Sequence, residues 1–323
     1  MKLGIFSKTF LRPTLEESFA AIAAHGLESI QFNWESAGLD EMPDAVSDSL
    51  CTTVRQGLKK HGLELAAVSG TFNMIHPVHR AEGMRRLRSL ARACPSLGTR
   101  LITLCTGTRD LENQWRYHPD NQTPEAWRDM LDAMREAVAI AEAHDVVLVF
   151  EPEVNNIVDS AQKARKLLDE IPSNHLKVVI DGANLFHRGE LSRMHEILDE
   201  AFQLLGDDIL LAHGKDLERD GDAGHQAAGT GVLDYAHYLH CLDRIGFEGT
   251  IALHSLSQEQ APASIAYLRV RWPRLTAEEK DHKQAPRSDV LHRRSIDYDW
   301  QVPGRGISQR FQPPAILHRC PRL

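Results

Sequence analysis

Four short apolar runs each close on a residue that can bind a metal ion: Val146-Val147-Leu148-Val149-Phe150-Glu151, Lys177-Val178-Val179-Ile180-Asp181, Ile209-Leu210-Leu211-Ala212-His213 and Thr250-Ile251-Ala252-Leu253-His254. Two carboxylates and two imidazoles suit one divalent transition-metal ion, with Mn, Zn, Co or Fe favoured over Mg. They can act together only if the ends of four strands meet. The runs lie about 30 to 40 residues apart, with a helix-like segment between each pair, which is the spacing of βα units in a parallel sheet. In a closed parallel barrel every strand ends on the same face, so the four residues converge. One polar residue at a strand end is ordinary. Four in succession point to a site.

The alternation that positions them extends over most of the chain. Leu3 to Phe6 reads as the first strand, and Thr14-Leu15-Glu16-Glu17 as the cap and acidic first turn of the helix after it. Further strands are expected at Leu27 to Phe32, Leu63 to Val68 and Leu101 to Cys105. Helices are expected over Asp44 to His61, Ala81 to Cys94, and from Thr123-Pro124-Glu125 to His144. Beyond Glu151 they are expected over Ser160 to Glu170, Glu190 to Leu205, Leu233 to Gly246 and Gln258 to Val270. These make eight βα units and predict an α/β fold, a (β/α)8 TIM barrel over residues 1–275 acting as the catalytic domain. An open doubly wound sheet would place a glycine-rich phosphate turn after the first strand, where Ser7-Lys8-Thr9-Phe10 stands instead. Residues 276–323 lose apolar periodicity and carry five prolines and seven arginines, so an irregular, poorly ordered tail is expected there.

Composition excludes several classes of function. The 323 residues carry a formal net charge of -8, which argues against a nucleic-acid partner held by bulk electrostatics. No apolar run reaches the ~18 residues of a membrane span. Met1-Lys2-Leu3-Gly4-Ile5-Phe6 enters a strand pattern directly, without signal-peptide organisation. Cys51, Cys94, Cys105, Cys241 and Cys320 show no paired spacing and read as reduced thiols of a cytoplasmic protein.

Active sites of such barrels form where the strands end. The loops there read Ser69-Gly70-Thr71-Phe72-Asn73-Met74-Ile75-His76, Cys105-Thr106-Gly107-Thr108-Arg109, Glu151-Pro152-Glu153, Asp181-Gly182-Ala183-Asn184 and His213-Gly214-Lys215-Asp216, followed by a polar stretch with Arg219 and His225. Aromatics, amides, hydroxyls and a few charges suit a small polyhydroxylated substrate. Glu153, two residues beyond Glu151 and so facing the same way in extended chain, is a second candidate carboxylate. Lys215 is a candidate to hold a substrate oxygen, with pairing to Asp216 as the alternative. Asp216 itself is expected to orient a ligand. Trp34 and Phe72 are candidate walls for a sugar, or packing residues, and His76 is a candidate substrate contact, or a loop cap. Trp115 and His118 lie in the long loop after the fourth strand and are expected to be exposed.

On the carriers Glu151-Pro152-Glu153, Asp181-Gly182-Ala183-Asn184, His213-x-Lys215-Asp216 and Gly229-x-Gly231-x-x-Asp234, the chain resembles the sugar phosphate isomerase/epimerase superfamily of xylose isomerase-like TIM barrels. The resemblance covers the barrel and leaves the tail without a counterpart. It implies one divalent metal ion held by Glu, Asp, His and Glu at the ends of strands five to eight. Glu151, Asp181 and His213 match the first three, while His254 stands where the family has Glu. The resemblance also implies a substrate-holding role for Arg219 and places Asn184 where some members have a substrate-binding histidine.

The implied activity is isomerisation or epimerisation of a sugar, keto-sugar or polyol derivative, by proton transfer next to a carbonyl through a metal-stabilised enediolate, with Glu151, Glu153 and Lys215 as catalytic candidates. A dehydratase of a keto-cyclitol and a non-catalytic ligand-binding barrel are the alternatives. His254 is left open between metal ligand and acid/base. Expected partners are the small substrate and, as an open option, further copies of the chain. Neither nucleic acid nor membrane is expected.

Overall fold

The computed structural model describes residues 1–272. Within them, eight strands run in parallel and close in sequence order: β1 (Lys2–Phe6), β2 (Ser29–Phe32), β3 (Glu64–Ser69), β4 (Leu101–Leu104), β5 (Val147–Phe150), β6 (Leu176–Asp181), β7 (Ile209–Gly214) and β8 (Thr250–Leu253). β8 pairs back onto β1 from Thr250↔Lys2 to Leu253↔Ile5. The helices α1 (Leu15–Ala24), α2 (Asp48–His61), α3 (Arg80–Leu97), α4 (Pro124–His144), α5 (Ala161–Glu170), α6 (Met194–Leu205), α7 (Tyr235–Arg244) and α8 (Ala261–Arg271) alternate with them. This is a TIM barrel. The tail expected over residues 276–323 lies outside the described residues.

Local chemistry sets the boundaries. Thr14 and Glu17 form a reciprocal capping box at the start of α1. α2 begins four residues later than Asp44 because Ser47 is its cap, accepting the Leu50 N–H at 3.2 Å. α3 runs past Cys94 and through Pro95, ending at Gly98 with φ 95°. α6 starts at Met194 rather than Glu190, after a separate 3-10 turn at Leu191–Arg193.

Inside the barrel, Ala67, Val149, Val179 and Leu211 form a small apolar cluster of their own, all fully buried. Side chains repeat every second residue along a strand. The next inward positions after these four are Ser69, Glu151, Asp181 and His213, and the same step from buried Ala252 reaches His254. An apolar plug thus fills the barrel, and a polar layer sits directly above it at the mouth. No helix among the described residues is long and apolar enough to cross a membrane.

Candidate metal centre

Asp181 and His213 are register partners on adjacent strands. One ligand atom each from Asp181, His213 and His254 falls within 4.8 Å of the others. His254 Nε2 lies 3.1 Å from Asp181 Oδ2, and the other carboxylate oxygen accepts the Ala183 N–H at 3.0 Å. Glu151 stands outside this tight triad but touches it, its Oε1 lying 3.3 Å from His213 Nδ1. Glu151 and His213 are 8% and 3% exposed, and Asp181 is fully buried.

Two residues fix the imidazoles. Gln31 Nε2 donates to Ser69 Oγ at 3.0 Å and to Thr103 Oγ1 at 3.2 Å, which turns its Oε1 toward His213 Nε2 at 2.9 Å. By this hydrogen-bond network the His213 proton sits on Nε2. His213 Nδ1 then faces the Glu151 carboxylate, a pair that can share a proton or take a metal ion between them. Phe6 stacks on His254 with centroids 4.6 Å apart and planes 13° apart, and meets His213 edge-on at 5.3 Å. Behind the strands, Tyr238 Oη lies 3.1 Å from the carbonyl oxygens of both Ile180 and His213, tying the ends of β6 and β7 together.

The buried charges are out of balance. Lys215 Nζ, on a side chain 7% exposed, lies 3.6 Å from Asp181 Oδ2. Burial works against its charge, but Asp181, Glu151 and Glu153 outweigh burial and raise its pKa. Burial pushes Asp181 up, yet Lys215 and the two imidazoles prevail and hold it at about 2. Glu151 is likewise held below its ordinary range against burial, by His213 and Lys215. Burial dominates at Glu153, which is pushed up to about 8, and its Oε1 finds no hydrogen-bond partner among the described residues. Burial also lowers His254 to about 4, leaving it a neutral imidazole with a lone pair to offer. A neutral His254, ionised carboxylates and a surplus of negative charge fit a divalent transition ion.

The other sequence candidates fall in different places. Asn184 is fully buried, donates to Glu151 Oε1 at 2.8 Å and accepts from Gly224 N at 3.2 Å. Both ends of its amide bond to the protein, and its N–H holds the Glu151 carboxylate in place. Trp34 is fully buried with its indole N–H on the Ser69 carbonyl at 2.8 Å, and it has no exposed face for a sugar. Asp216 accepts the backbone N–H groups of Leu217, Gly229 and Leu233, so it shapes the loop after β7 and orients no ligand. That explains the Gly229-x-Gly231 motif: a Cβ at Gly231 would lie 2.3 Å from Leu217 O and 2.5 Å from Asp216 Oδ1. Asp234, which ends the motif, caps α7.

His76 caps its own turn, Nδ1 accepting from Val78 and His79 at 3.1 Å each. With Phe72 and Trp115 it lines a cavity of about 480 Å³. Arg219 lines a larger one, of about 770 Å³, with Trp115, Tyr117, Arg188, Asp222 and His225. The four strand-end residues line neither cavity. Trp115 is 39% exposed. His118 Nδ1 accepts from Asp120 N. Cys105 is buried, its thiol donating to the Phe72 carbonyl.

Gln31 and Phe6 were not singled out in the sequence. Gln31 is one polar residue inside an apolar strand, and Phe6 is an ordinary strand-end aromatic. A buried amide at an inward barrel position is the signal that could have marked Gln31.

The sequence matches the xylose isomerase-like TIM barrel family over residues 19–271, and the chain belongs to that family. No curated protein matches it. Among solved structures it is similar to 3-keto-D-glucoside 4-epimerase from E. coli, with TM-score 0.63 and 17% identity over 84% of this chain and 99% of that one. It is similar to D-psicose 3-epimerase from Clostridium cellulolyticum H10, solved with D-tagatose, with TM-score 0.62 and 15% identity over 84% and 99% of the two chains. It is similar also to the IolI protein with a bound zinc atom, with TM-score 0.64 and 19% identity over 84% and 97%. At these identities the likeness is one of fold.

Proposed function

We propose that this protein is a metal-dependent isomerase or epimerase of a sugar, keto-sugar or polyol derivative. The observation that carries the reading is the convergence of Glu151, Asp181, His213 and His254, with Lys215 and Glu153, in one buried polar layer at the mouth of a barrel of this family. Asp181, His213 and His254, with Glu151, would hold one divalent ion of the Mn, Zn, Co or Fe kind. Such an ion, when bound, supplies Lewis-acid polarisation of a carbonyl.

The chain's own residues do the rest. Glu151 is ionised and steered by Asn184, and it takes the proton from the carbon next to the carbonyl. Glu153 keeps its proton at neutral pH and is placed to deliver one. The Lys215 ammonium offsets negative charge that develops on a substrate oxygen. His254, neutral and grouped with Asp181 and His213, acts as a ligand. Arg219, Phe72 and His76, which line the two cavities, hold the distal parts of the substrate. The four described cysteines are buried and free, which accords with a cytoplasmic protein.

The test is turnover of a panel of ketoses and keto-cyclitols by metal-loaded protein in deuterated water. Deuterium on the carbon next to the carbonyl is expected, with loss of turnover in Glu151→Gln. Loss of water from the substrate would identify a dehydratase instead. Unchanged turnover in metal-loaded Glu151→Gln would remove Glu151 from its role.

A further inference from the structure

The outer wall of the barrel carries a second group of metal-ligating side chains that the proposed reaction does not use. α6 and α7 are neighbours in the helical ring. Asp199 lies on α6, and His237 and Cys241 lie one turn apart on α7. His237 Nε2 is 3.3 Å from Asp199 Oδ1, and Cys241 Sγ is 3.5 Å from the same oxygen. One donor atom from each of the three falls within 4.8 Å of the others. Tetrahedral ligands with bonds of about 2.0 to 2.3 Å stand roughly 3.3 to 3.8 Å apart. Both separations from Asp199 Oδ1 fall in that range, and the third is held within 4.8 Å, close enough for three ligands to share one small ion. The site is graded in exposure, with Cys241 fully buried and the side chains of His237 and Asp199 19% and 43% exposed. It is open on one side for entry and for a water as fourth ligand.

A second observation points the same way. His237 Nε2 is buried and finds no hydrogen-bond partner among the described residues, although Asp199 is within reach. The nitrogen and the oxygen are not aimed at each other, as befits two ligands that face a common point. The ring is held in that pose by His195, one turn before Asp199 on α6, which stacks on it at 4.1 Å and 11°. His195 in turn lies 2.9 Å from Asp234 Oδ2. One cation already occupies the rim. Arg244 donates to Asp199 Oδ1 at 2.8 Å and reaches Cys241 Sγ at 3.9 Å, from a side chain 48% exposed.

We propose that Asp199, His237 and Cys241 form a second metal site, for an ion of the zinc class, and that Arg244 is its built-in competitor. A thiolate, an imidazole and a carboxylate select zinc over magnesium or calcium. On binding, the thiol proton passes to solvent, no electron is transferred, and the guanidinium swings out to water. The bound ion clips α6 to α7, and α7 carries Tyr238, which ties β6 to β7 behind the barrel mouth.

Titration of the full chain with Co2+ tests this. Ligation by a thiolate gives a near-ultraviolet charge-transfer band that the nitrogen and oxygen ligands of the barrel mouth cannot give. The band is expected in the parent protein and in Asp181→Ala, and absent in Cys241→Ser. His237→Ala should weaken cobalt binding at this site by roughly tenfold or more. Arg244→Gln should tighten it several-fold. Zinc content by elemental analysis should fall by one ion per chain in Cys241→Ser, independently of the band. A parent protein without the band at cobalt saturation, or a band that survives Cys241→Ser, would overturn the site. Weaker binding in Arg244→Gln would overturn the competitor role.

Discussion

At the amino-terminal rim of the barrel, two cations close on one carboxylate: Lys177 Nζ lies 2.5 Å and Arg165 Nη1 2.8 Å from the two oxygens of Asp208. Lys2 pairs with Glu64, and Arg100 with Asp145, at the same rim. At the carboxyl-terminal rim one ammonium among the described residues, Lys215, faces Glu151, Glu153 and Asp181. The first set is partly wet and paired within itself. The second is buried, short of positive charge, and leaves Glu153 Oε1 without a partner among the described residues. The same residue types thus serve opposite ends. Paired charges at a partly wet rim let the strands start with the desolvation penalty of each carboxylate offset by its partners. Unbalanced charges in a dry mouth weaken the fold and wait for a cation or a substrate to balance them.

The largest contrast should come from Asp181. Asp181→Ala removes the most buried of the proposed ligands and should weaken Mn2+ binding on the order of 100-fold or more. Asp208→Asn should leave it unchanged. Calorimetric titration of both variants decides the matter, and an Asp181→Ala protein that binds as tightly as its parent would place the ion elsewhere. Next in size is Gln31→Leu. Without the amide oxygen, nothing holds the His213 proton on Nε2, and Mn2+ affinity should fall roughly tenfold although no ligand is touched. An unaltered affinity would show that His213 needs no such orienter.

The comparison also separates what the sequence reveals from what it hides. The four strand-end candidates are legible because β-period burial writes an apolar run and then breaks it with one ionisable residue, as in Val178-Val179-Ile180-Asp181. The eight βα units are legible for the same reason, with caps such as Thr14 and Thr123 marking helix starts. Trp34 reads equally as a sugar wall or a packing residue, and Asn184 as a substrate contact only by resemblance, because loop position tells which rim a residue sits on, but not which way its side chain turns. Gln31 was missed because its partners, Ser69, Thr103 and His213, come from three other strands. The Asp199, His237 and Cys241 group was missed because it spans two helices, and an i, i+4 pair on one amphipathic helix looks like any other.

Glu153 should sharpen the contrast in stability. Its folded pKa, about 8, lies above the ordinary carboxyl value of 4.5. Between those values the folded protein keeps a proton that the unfolded chain has released, so stability falls as pH rises through that window. In chelator-treated protein, Glu153→Gln should therefore stabilise the fold by on the order of 3 kcal/mol more at pH 8 than at pH 5. Denaturant unfolding at the two pH values measures it. An equal effect at both would mean that the carboxyl does not titrate there.

Asp208 should behave in the opposite sense, with the smallest effect. Burial raises its pKa, but Lys177 and Arg165 outweigh burial and hold it below the ordinary carboxyl range. Its contribution to stability is therefore full above the unfolded carboxyl pKa and is lost as pH falls through the lower, folded value. Asp208→Asn should cost about 0.5 to 1 kcal/mol at pH 7, and the two proteins should converge in acid. Partners on side chains 23% and 31% exposed keep the figure small. A variant as stable as its parent at pH 7 would mean that the amino-terminal rim, too, carries its charges for some purpose other than folding.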